Sequence, residues 1–97
     1  MSCSSYSAII ITLKKLLNEL NIQNYNIENL KEDYASLEII ESICNELYYT
    51  KYKNFANCIN DIIFSFKVKI INKDSWIIFF DYQYGSQIKN AILNLQR

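Results

Sequence analysis

The side chains able to do chemistry fall into four groups. Six carboxylates crowd one stretch, Glu28, Glu32, Asp33, Glu38, Glu41 and Glu46, with Lys31 the only base among them. Paired carboxylates can exchange protons or hold a hard cation. Here they recur as the solvent side of a helix does, without an EF-hand loop pattern, so the stretch reads as a hydrated face.

The second group is Tyr48-Tyr49-Thr50-Lys51-Tyr52-Lys53-Asn54-Phe55, which interleaves lysines with aromatics. Lysines neutralise phosphates and rings stack on bases, so this segment could meet a nucleic acid. The third is the hydroxyl of Ser86 behind Gly85, which lacks the glycine spacing of a nucleophile elbow and reads as a turn and a helix cap. The fourth is the set of three cysteines, Cys3, Cys44 and Cys58. Their number is odd, no CxxC pair occurs, and no histidine exists to complete a zinc site, so neither a disulfide framework nor a structural metal is expected. Cys44 and Cys58 read as small buried apolar residues.

The 97 residues contain no histidine, no proline and one glycine. Histidine-based acid–base chemistry and glycine-rich phosphate loops are excluded. A serine nucleophile would need a lysine or carboxylate base, and no spacing nominates one. The expectation is a non-enzymatic protein with no cofactor. Ile, Asn, Lys and Tyr supply nearly half the chain. Their codons are built mostly from A and T, so an AT-rich genome accounts for the many Asn and Tyr residues.

Ten basic and ten acidic residues give zero net charge, and 51% of the chain is hydrophobic. This size and composition describe one small folded domain, 1–97, rather than a disordered chain. No apolar run approaches the roughly 20 residues of a membrane span. The first 12 residues carry no Lys or Arg, which argues against a basic secretory leader. A cytoplasmic or other reducing intracellular compartment is expected.

The elements that would carry these groups follow from periodicity. Tyr6, Ile9, Ile10, Leu13, Leu16, Leu17 and Leu20 recur at three and four, which predicts a helix over 6–20 with Ser5 or Ser7 at its start and Asn21 at its end. The asparagine-rich stretch 21–26 reads as a connection. Leu30, Tyr34, Leu37, Ile40, Cys44 and Leu47 predict a second helix over about 27–49, with a break near Asp33 admissible. A further helical stretch is expected over about 51–61, with continuity across 49–51 left open.

From residue 63 the period reads as two. Phe64, Phe66, Val68 and Ile70 alternate with Ser65, Lys67 and Lys69, and Trp76, Ile78, Phe80, Tyr82 and Tyr84 continue on even positions. That alternation predicts two strands, 63–71 and 76–84. A three-residue connection, Asn72 to Asp74, aligns Ile70 with Trp76, Val68 with Ile78, Phe66 with Phe80 and Phe64 with Tyr82, and places Asp74 in a left-handed conformation. The other face carries Lys67 near Asp81, with Ile77 and Phe79 uncovered. A last helix is expected over 86–96. The predicted class is α+β, ordered helix, helix, a further helical stretch, strand, strand, helix, with an antiparallel hairpin packed on the helices.

Charge is uneven: the segment 28–46 is acidic, whereas 51–73 carries Lys51, Lys53, Lys67, Lys69 and Lys73 against Asp61 alone. More apolar side chains are present than a domain this small readily hides; Ile11, Ile77, Phe79 and Leu93 fall off the main faces. The leading expectation is therefore a protein–protein interaction module, a small binding, inhibitor or adaptor protein or a complex subunit. It would act through the hairpin with Lys67, Lys69, Ile77 and Phe79 as contacts, self-association being the simplest form. The alternative is a nucleic-acid-binding module using Lys51, Tyr52, Lys53, Lys67 and Lys69. Against it stand a pI near 6.2 and a single arginine at the C-terminus.

Overall fold

Among the described residues the α-helices each turn one stripe of side chains away from water. The computed structural model describes residues 5–68 and 75–96, and within them the regular elements are helices. They are α1 (Ser5–Glu19), a 3-10 turn (Ile27–Asn29), α2 (Tyr34–Leu47), α3 (Lys53–Val68) and α4 (Trp76–Leu95). Helix α4 packs on both α1 and α3, and α3 packs on α2.

The first helix matches its periodicity. Tyr6, Ile9, Ile10, Leu13, Leu16 and Leu17 are buried along one side. Asn21 ends it at φ 57°, the only positive φ in the described residues. The Asn21 amide bonds the Asn18 carbonyl at 3.1 Å and the Ile22 amide reaches back to Leu17 at 2.9 Å. This is the Schellman pattern, and asparagine is the side chain that best tolerates a left-handed residue after glycine.

The predicted 27–49 helix is two pieces. Asp33 is extended and its carboxylate accepts from the Ser36 amide at 2.9 Å, so α2 starts there. The open question at 49–51 resolves as a break. The Thr50 hydroxyl donates to the Leu47 carbonyl at 2.6 Å and accepts from the Tyr52 amide at 3.1 Å, turning the chain between α2 and α3.

The α+β expectation is overturned. The described parts of both predicted strands are helical: residues 63–68 complete α3, and 76–84 form the first half of α4. Lys69 and the predicted connection Asn72 to Asp74 lie outside the described residues. Trp76, Phe80, Tyr84 and Ile88 are the buried positions of α4. They are four residues apart, so they satisfy an alternating pattern and a helical one alike. The discriminating positions are the even residues between them. Ile78 and Tyr82, which a strand would bury, are 74% and 89% exposed. On α3 the odd residue Ile63 is buried with Ile62 and Phe66, while Phe64 and Val68 face out. A helix also satisfies its own backbone, whereas an isolated hairpin leaves two unpaired edges.

Gly85 and Ser86, read as a turn and a cap, sit inside α4. Gly85 lies where α4 meets the start of α1: a Cβ built there would stand 3.0 Å from the Ser5 Oγ. Above that crossing an aromatic cluster joins three helices. The Tyr6 ring meets Trp76 edge-on at 4.9 Å and Phe80 at 6.0 Å, and Phe66 of α3 lies 5.9 Å from Phe80. Such edge-to-face contacts add to the burial of four large side chains.

Candidate interaction surface

The polar groups singled out from the sequence are largely engaged within the chain. Lys67, on the last turns of α3, places its Nζ 2.6 Å from Glu41 Oε1 and 3.9 Å from Glu38 Oε1, tying α3 to α2. Bonding to Glu41 raises its pKa above the usual lysine range. Lys67 therefore pairs with α2 and not with Asp81, the partner that the hairpin register would have allowed. Glu38 and Glu41 belong to the acidic stretch, and the pairing uses part of the charge asymmetry between 28–46 and 51–73.

The lysine–tyrosine segment is likewise occupied. Lys51 Nζ is 3.2 Å from Glu19 Oε1 and lies 5.2 Å from the centre of the Tyr52 ring. Hydrogen bonding to Tyr52, then to Lys51, holds the Glu19 carboxyl below its ordinary value. Lys53 sits over the Tyr48 ring at 4.6 Å. Tyr52 itself is buried, whereas Tyr49 stands 87% exposed. Tyr49 is thus the exposed ring of the segment that carries no lysine over it.

Ile77 and Phe79 are half-buried and pack against the core, Phe79 with its ring 5.6 Å from Phe66. Ile11 and Leu93, also expected off the main faces, are exposed. The most exposed apolar side chains of α3 and α4 were expected to be interior. Phe64 and Val68 are 66% and 70% exposed on the outward side of α3, and Ile78 and Tyr82 form the corresponding pair on α4. Each pair is spaced by four, so each occupies one helical stripe opposite its core stripe. That spacing was visible in the sequence, but the strand reading assigned all four to the inside.

Burial pushes the Cys44 thiol up to about 12, and Cys58, half-buried on α3, is also raised by burial. Among the described residues no cluster of three His, Cys, Asp or Glu side chains is placed to hold a metal ion. No helix among them is long and apolar enough to cross a membrane. The chain matches no family model, no curated protein and no solved structure.

Proposed function

We propose that this protein is a non-enzymatic protein-binding module, and that its simplest partner is a second copy of itself. The observation that carries the reading is the pair of outward apolar stripes, Phe64 with Val68 and Ile78 with Tyr82. They remain in water while a full set of other apolar residues fills the interior. Covering exposed apolar area of this kind is a driving force for association. Zero net charge supports like-with-like contact, since two copies meet without net repulsion. The contact surface is helical, which replaces strand addition at a hairpin edge with helix-face packing.

Size-exclusion chromatography with light scattering at increasing protein concentration tests the reading. The expected result is a mass rising from 11.5 kDa toward twice that value. The variant F64S/I78S should stay monomeric with an unchanged circular dichroism spectrum, because both side chains are exposed. A single-chain mass at every concentration overturns self-association. Salt-sensitive binding of single-stranded RNA by the monomer would instead favour the nucleic-acid alternative.

A further inference from the structure

A groove of about 710 Å³ runs between the start of α3 and the C-terminal half of α4, away from the outward apolar stripes. Its distinctive lining is a set of four side-chain amides: Asn54 from α3, and Gln87, Asn90 and Asn94 from α4. The three on α4 are spaced i, i+3, i+7, so they stand in one row along the helix. Among the described residues none of the four amides is engaged in a hydrogen bond to another side chain. Between them the floor is apolar, made by Phe55, Ala91 and Leu95.

The chemistry of that lining selects its ligand. An amide side chain offers a donor and an acceptor together, the complement of a peptide group. Asn90 and Asn94 are separated by roughly 6 Å along the helix axis. The peptide groups on one side of an extended chain repeat at roughly 6.7 Å, so successive main-chain groups can meet successive amides. A charged ligand is poorly served: Lys51 is the only charged residue of the lining, and it is already paired with Glu19 at 3.2 Å. Nucleic-acid bases are poorly served too, because Tyr52 and Phe55 are 9% and 3% exposed and present no ring face for stacking.

We propose that this groove binds an extended, uncharged peptide segment through its main chain, with apolar side chains of the peptide resting on Ala91 and Leu95. The site is separate from the self-association surface, and either can fail without the other.

The test uses the full chain and a phage-displayed random heptapeptide library. The expected result is enrichment on the wild-type protein and on F64S/I78S, but not on N90A/N94A. The best synthetic heptapeptide should lose roughly tenfold or more in affinity when its backbone amides are N-methylated. Titrating it into labelled wild-type protein should shift the side-chain NH₂ signals of Asn54, Gln87, Asn90 and Asn94. That measurement needs no variant to fold. No enrichment, binding indifferent to N-methylation or to N90A/N94A, or equivalent shifts produced by maltohexaose would each overturn the proposal.

Discussion

The backbone amide of Tyr6 donates to Asp81 Oδ1 at 3.2 Å, across 75 positions of sequence. A helix leaves its first amides without internal partners, and here the first helix finds one on the last. A carboxylate at that end also faces the positive pole of the α1 dipole. The Tyr6 side chain completes the anchoring. Its hydroxyl donates to the Lys31 carbonyl at 2.7 Å, and the Lys31 amide donates to the Ser36 Oγ at 3.1 Å. One residue thus joins α1 to α4 through its backbone and to the α2 approach through its phenol.

Replacing Asp81 by Ala should destabilise the protein by about 1 kcal/mol, the usual cost of losing a cap. Asp81→Asn, which keeps an oxygen acceptor but loses the charge, should cost less. Urea denaturation followed by circular dichroism measures both. A neutral Asp81→Ala would show that the contact contributes nothing to stability.

Gly85→Ala sets two effects against each other. Alanine gains about 1 kcal/mol over glycine inside a helix. The new Cβ meets the Ser5 Oγ at 3.0 Å, and a serine hydroxyl can rotate aside. A net gain of roughly half that value is expected, and the double variant S5A/G85A should recover nearly all of it.

The Lys67–Glu41 pair is partly exposed, so its double-mutant coupling energy should be at most about 1 kcal/mol and should shrink with salt. Its pH dependence has a definite sign. Lys67 has a raised pKa in the folded protein, so the pair's contribution is whole below the ordinary lysine value of about 10.4. It is lost as pH rises beyond that, through the folded pKa. Denaturant midpoints of wild type and Lys67→Met should therefore converge at strongly alkaline pH and differ at neutral pH.

Thiol chemistry should separate the two helical cysteines. Cys44 is fully buried with its pKa pushed up to about 12, while Cys58 is half-buried at the edge of the amide groove. In a Cys3→Ser background at mildly alkaline pH, one thiol should react with an aromatic disulfide reagent at a measurable rate, and Cys58→Ser should abolish that phase. The second thiol should react only in denaturant. Equal rates for both would contradict the burial of Cys44.

The first half of the fold was legible because its signals agree. The stripe of α1 runs from Tyr6 to Leu17, Asn21 stops it, and Asp33 offers a helix start where one occurs. Period, cap and turn chemistry point the same way there. The second half was misread because Trp76, Phe80, Tyr84 and Ile88 obey two periods at once. The intervening Ile78 and Tyr82 are as apolar as a buried strand face would demand, and Ile, Phe and Tyr all favour strands. Outward-facing apolar residues are what defeat a reading by hydropathy pattern. The same residues, with Phe64 and Val68, form the candidate surface, so the misreading and the functional proposal share one cause. The row of Gln87, Asn90 and Asn94 was present in the sequence too, but in a chain with twelve asparagines its spacing did not stand out.

Local chemistry within the sequence determined that these 97 residues are charge-balanced and without histidine chemistry, that a helix lies between Ser5 and Glu19, and where that helix stops. These follow from composition and from contacts between residues a few positions apart. The choice of helix over strand at 63–68 and 76–84, the interior of α4, and the division of apolar residues between core and surface were decided only by tertiary packing. Pairing Tyr6 with Phe80 and Asp81, and Phe66 with Trp76, buries one side of α1, α3 and α4. Which side that is depends on the neighbour supplied from a distant part of the chain, and no local pattern contains that information.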